Sequence, residues 1–293
     1  MSKQLLKSHP AEHIQFNPYQ VMGHFNTYNR QWQLQILPID APCSFEELQV
    51  KRNNSLLMTS SNSEVNLTVN NLGVSAHLIC QINGVDYLLL VEQRRHDFKD
   101  KVLKLVSGYV SAEYSYYPEQ VIAEEISQEC LMVYGKQLAC WQDHTGQALP
   151  DPEYQGLTIN KDKALTLVPD LVSAPQQIAL GAAQCEPHVT SYIHVPTNSL
   201  QLVYHWRTTI RDLSELSCYF VDEIYNQETQ RLETTWDKSD KCYLAELQFN
   251  QLTGAFFQLE AGQLKTVDLK NPLFSEYFCQ RKGIMIFDNH TVL

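Results

Sequence analysis

The hydrophobic pattern is sharpest between residues 74 and 132. Val74 to Ile82 and Tyr87-Leu88-Leu89-Leu90-Val91 are short apolar runs of the kind that form buried strands. Asn83-Gly84 stands between them, and Asn-Gly between two apolar runs is the strongest short hairpin signal, because both residues accept positive φ. A third run, Leu103-Lys104-Leu105-Val106, ends at Ser107-Gly108. After a loop the period changes. From Pro118 to Met132, the residues Val121, Ile122, Ile126 and Leu131 share roughly one side of a helix, with Glu124, Glu125, Gln128 and Glu129 opposite. Pro118 suits a first helical position, where its missing N–H costs nothing, and Glu119 lies at the positive end of the helix dipole.

Elsewhere the pattern is thinner. Gln31 to Leu37 alternates polar and apolar residues and predicts a half-buried strand, whereas residues 1–30 are polar with scattered aromatics and are expected to drape over the body. Strands are predicted at Lys136–Trp141, Val189–Val195, Leu200–Arg207 and Cys218–Glu223. Leu157 to Gln184 has no clear period and reads as an insertion or extended loop. Leu244 to Gly262 predicts a helix, with Leu247, Leu252, Phe256, Phe257 and Leu259 on a broad apolar face and Gly262 at its C-cap.

Composition narrows the chemistry. The formal net charge of −11 argues against nucleic acid or an anionic membrane as partner, since both need clustered Lys and Arg. The eight cysteines contain no C-x-x-C pair, so zinc ribbons and thioredoxin-like motifs are not indicated. With no signal peptide and no apolar run of membrane-spanning length, the expectation is a cytoplasmic protein with free thiols. There is no G-x-S-x-G elbow, P-loop or dinucleotide fingerprint.

What remains is the acidic helix. Glu125 and Glu129 are four residues apart, so their carboxylates stand one above the other and repel unless a cation lies between them. Oxygen ligands of this kind suit Mg²⁺ or Mn²⁺. The same spacing also fits an ordinary solvated helix face.

The order strand, glycine bend, acidic helix resembles the Nudix family, whose box reads G-x5-E-x7-R-E-U-x-E-E-x-G-U. The box glycine falls on Gly108, the R position on Glu124, the next E on Glu125, and the E-E pair on Gln128 and Glu129. Leu89 to Arg95 and Leu103 to Gly108 look like strands of the ADP-sugar pyrophosphatase branch, and Phe256 to Phe278 like its closing helices. The departures are Tyr116 where the loop Glu belongs, Glu124 for Arg, and Gln128 for Glu.

The resemblance implies an α/β (α+β) fold in which helices sandwich a mixed sheet. It implies a small N-terminal β domain or extension over 1–72, a Nudix-like domain over 73–293 with an insertion at about 143–188, and a homodimer. It further implies Mg²⁺ or Mn²⁺ on Glu125 and Glu129, with Gln128 as a weak contact, and phosphate contacts from Arg94, Arg95 and Gly108. The ligand would be a nucleoside diphosphate derivative such as a nucleotide sugar, hydrolysed by metal-assisted attack of water. A reduced module that only binds such a compound, and a lyase or dehydratase acting on it, are the alternatives. The general base stays open among Glu186, Asp222, Glu223 and Glu228, while His188, His194 and His205 read as strand or loop histidines.

Overall fold

The structure is a computed structural model that describes residues 4–10, 14–28, 31–39, 41–51, 58–60, 63–94, 101–115, 118–129, 131–134, 137–138, 141–142, 157–160, 163–167, 183–185, 189–194, 198–210, 212–214, 216–238, 242–260, 262–269, 273–274 and 284–292. Its centre is a parallel pair, Asn71–Ile82 and Ser199–Ile210, in register from Asn71↔Ser199 to Ile82↔Ile210. Side chains alternate between the faces of a strand. Leu72, Val74, Ala76 and Leu78 therefore share one face with Leu200, Leu202 and Tyr204, and Gly73, Ser75 and His77 share the other with Gln201, Val203 and His205.

The second edge of Asn71–Ile82 is divided. Val85–Arg94 pairs with residues 79–82 through the Asn83-Gly84 turn, whose φ values of 51° and 81° fit the predicted hairpin. Val106–Tyr109 pairs with residues 73–76, and Lys101–Lys104 pairs instead with Val85–Arg94. The ladder forks beside His77 and Leu78.

One large mixed sheet carries the N-terminal strands as well. Tyr19–Asn26 pairs with Gln31–Pro38 and Glu64–Val69, and Gln31–Pro38 runs parallel to Ile284–Val292, which continues through Val189–His194 to the central pair. The sheet curls until Tyr19, Val21, Leu34 and Leu67 share an interior with Val74, Leu78 and Leu202. The boundary expected at residue 72 falls inside a strand, and Gln4–Pro10, Gln15–Phe16 and Tyr19–Asn26 are strands where a loose cover was expected.

Helix Pro118–Glu129 buries Val121, Ile122 and Ile126 in that interior. Full burial of each Ile contributes about 2 kcal/mol. The helix also packs on a five-stranded antiparallel sheet of Gln4–Pro10, Arg231–Lys238, Leu216–Asn226, Leu131–Tyr134 and Gln137–Leu138. The helix thus packs against both sheets.

The expected α/β (α+β) fold, a Nudix-like sheet sandwiched by helices, is not the one that forms. Among the described residues the only helices are Phe45–Lys51 and Pro118–Glu129, and the rest of the regular structure is β. The predicted helix at 244–262 is a hairpin of Cys242–Gln248 and Gln251–Glu260, turning at Phe249 and Asn250 with φ of 52° and 60°. Its first strand is buried on both faces, Leu244 in the main interior and Tyr243 and Ala245 in a second core with Leu88, Leu90 and Phe256. A strand covered on both sides loses the alternation that marks strands, and its apolar run then passes for a helix. Gly262, expected as a helix cap, occupies the next turn at φ 74°, where a side chain would also strike the backbone of Leu213 and Ser214. The short final helix expected in the segment ending at Phe278 is a strand at Leu273–Phe274, and residues 275–283 lie outside the described residues.

Helix Phe45–Lys51, in a stretch whose pattern was mixed, begins with a capping box. The Ser44 N–H donates to Glu47 Oε2 at 2.9 Å, and the Glu47 N–H donates to Ser44 Oγ at 3.3 Å. No helix among the described residues is long and apolar enough to cross a membrane. Cys43, Cys80 and Cys242 are buried and form no disulfide.

Candidate functional site at the glycine bend

Lys101–Lys104 runs directly into Val106–Tyr109, and the start of that second strand lies against the last two turns of helix Pro118–Glu129. Gly108 faces Glu125 so closely that a Cβ there would collide with the carboxylate. This is a place where glycine serves by having no side chain. Ser107 donates its backbone N–H to Glu129 Oε2 at 3.2 Å. The bend and the two carboxylates of the predicted motif are therefore brought together.

The sequence reading missed Lys104. Its ammonium lies 2.8 Å from Glu129 Oε1 and donates to the Ser107 carbonyl at 3.2 Å and the Ser107 hydroxyl at 3.3 Å. The lysine is 8% exposed and the Glu129 side chain 27%, so the pair is largely shielded from water. An ammonium held by a carboxylate, a carbonyl and a hydroxyl stands in an oxygen-lined position of the sort a hard cation would take. The signal was an interior lysine in an otherwise apolar strand, Leu103 to Val106. The donor set does not suit a divalent ion in this arrangement: Glu129 already carries a full compensating charge, which leaves Glu125 as the remaining helix carboxylate of the predicted pair. Among the described residues, no group of three or more His, Cys, Asp or Glu is placed to hold a metal.

Other predicted residues are dispersed. Arg94 ends the strand Val85–Arg94 opposite Lys101, Arg95 lies outside the described residues, and Gln128 is on the helix without a described side chain. Glu113 is exposed in the turn before the helix, and Tyr116 is outside the described residues. That turn is tied to the N-terminal strands: Asn17 and Tyr19 donate to Ser115 Oγ at 2.6 and 3.1 Å, and Ser115 Oγ donates to the Ala112 carbonyl at 2.8 Å. Of the general-base candidates, Glu228 is exposed in the turn between Leu216–Asn226 and Arg231–Lys238. Asp222 and Glu223 lie on the first of those strands, and Glu186 is outside the described residues.

The opposite face of the central pair holds a second polar group. His77 and His205 face each other across the register with ring centroids 5.0 Å apart and planes inclined at 47°. Burial pushes the His77 pKa from 6.5 down to about 3, helped by His205 and the nearby positive Arg207. Arg207 itself is held by Asp86 at 2.8 Å. Beside the central strand, Phe16, Phe45 and Tyr109 form an aromatic trio with centroids 5.9 to 6.3 Å apart.

No family model, curated protein or solved structure matches this chain.

Proposed function

We propose that the chain binds a nucleoside diphosphate derivative and does not hydrolyse it. The ligand class rests on the sequence resemblance of the unit from Gly108 to Glu129. The absence of turnover rests on one observation, the Lys104–Glu129 contact at 2.8 Å in a largely shielded position. Hydrolysis of a diphosphate at this unit needs a divalent ion to neutralise charge and activate water. Here a protein ammonium already neutralises one of the carboxylates that would hold that ion. What Glu129 does instead is fasten the helix to the sheet.

A second reading, the metal-dependent pyrophosphohydrolase, is favoured by Glu125, which stays partly exposed beside Gly108. One experiment separates the two. The full chain is screened with ADP-ribose, nucleotide sugars and dinucleoside polyphosphates, with Mg²⁺ and with Mn²⁺, for phosphate release and for ligand-induced thermal stabilisation. Stabilisation without turnover is the expected result. Metal-dependent release abolished in both Glu125→Gln and Glu129→Gln would overturn the proposal in favour of the hydrolase, and neither release nor stabilisation by any of these compounds would remove the ligand class.

A further inference from the structure

We infer that His77 and His205 form a site for a transition-metal ion of the zinc type, with both imidazoles on one ion and water or a small ligand completing its shell. The two residues are registered partners on hydrogen-bonded parallel strands, and they lie on the face that carries Ser75 and Gln201. Gly108 pairs with Val74, whose side chain is in the main interior, so the histidines and the Glu125–Glu129 unit occupy opposite faces of the sheet. The two sites are therefore separate, and this inference does not depend on the proposed function.

The ring separation carries the argument. A metal–nitrogen bond of about 2.1 Å plus roughly 1.1 Å from nitrogen to ring centre puts each centroid about 3.2 Å from a shared ion, and a tetrahedral angle then separates the centroids by about 5.2 Å. The observed separation is 5.0 Å, with the planes inclined at 47° where stacked rings would be parallel. Imidazole binds such ions through a neutral ring nitrogen. Two nitrogen donors favour zinc, copper or nickel over magnesium. The positive charge that would oppose an ion here belongs to Arg207, and Asp86 compensates it at 2.8 Å. Both histidines are partly exposed, although His77 Nδ1 itself is buried.

The test uses the full chain stripped with EDTA. Zn²⁺ affinity is measured by competition with a chromophoric chelator for the unaltered protein, for His205→Gln and for His24→Gln, the last altering an exposed histidine near Glu64 on another strand. One strong Zn²⁺ equivalent per chain is expected, unchanged in His24→Gln and weakened in His205→Gln by at least about tenfold, the low end of what losing even an outer-sphere partner costs. Because a substitution in the sheet can perturb folding, the unaltered protein is also loaded with one equivalent of Cu²⁺ and its coupled imidazoles are counted by pulsed EPR, with two expected. Equal Zn²⁺ affinity in His205→Gln, no strong Zn²⁺ equivalent, or a single coupled imidazole would each overturn the site.

Discussion

Removing the Lys104 charge tests whether the acidic helix is fastened by an ion pair. In Lys104→Met the Glu129 carboxylate keeps the Ser107 N–H at 3.2 Å and loses an ammonium at 2.8 Å. Breaking a fully buried pair by deleting one partner costs about 3–5 kcal/mol. Glu129 is about a quarter wet, with 27% side-chain exposure, which lets water replace part of the lost interaction. The expected loss is therefore about 2 kcal/mol. Glu129→Gln strands the more deeply buried partner, since the Lys104 side chain is 10% exposed, and should cost about 3 kcal/mol. The double variant replaces the pair by a thioether and an amide, leaves no uncompensated charge, and should lie within about 1 kcal/mol of the unaltered protein. Urea denaturation at neutral pH measures all four proteins, and the expected coupling is several kcal/mol in favour of the pair. Losses that add to within about 0.5 kcal/mol would show that the two groups do not interact and would refute the reasoning.

Gly108→Ala should destabilise by about 1 kcal/mol through its clash with Glu125, and much less in a Glu125→Ala background, measured by the same denaturation. The lowered His77 pKa means the unfolded chain binds the extra proton between pH 6.5 and about 3, so this contribution is complete above pH 6.5 and lost as pH falls towards 3. In EDTA, about 2 kcal/mol should go between pH 8 and pH 5, and His77→Gln should flatten that part of the profile; an unchanged slope would contradict the assignment. Phe249 sits at φ 52° and is 93% exposed, so Phe249→Asn should raise stability by about 1 kcal/mol in thermal or urea unfolding, with no gain counting against strain at this turn. Ser44→Ala should cost about 1 kcal/mol by removing the cap of helix Phe45–Lys51.

Features set by neighbours in the chain were legible. Asn83-Gly84 makes a turn because its own backbone tolerates positive φ, and the helix from Pro118 follows from its start signal and its apolar side, although the run predicted to reach Met132 gives way to the strand Leu131–Tyr134. The meeting of Gly108 with Glu125, and of Ser107 with Glu129, was foreshadowed by their order along the chain. Lys104 was read as part of a strand. Its role depends on which face it takes and on what the helix brings there, and the net charge of −11 gave no warning of a buried cation.

The sequence alone determined the turn at Asn83-Gly84, where one helix begins, and that a glycine bend leads to two stacked carboxylates. Only the tertiary structure decided that Cys242–Glu260 is a hairpin, that His77 faces His205 across a gap of more than a hundred residues in sequence, and that Glu129 belongs to Lys104. The physical reason is the same in each case. Periodicity reports which side of an element is apolar, whereas burial on both faces, strand register and the partner of a charge are set by elements remote in sequence.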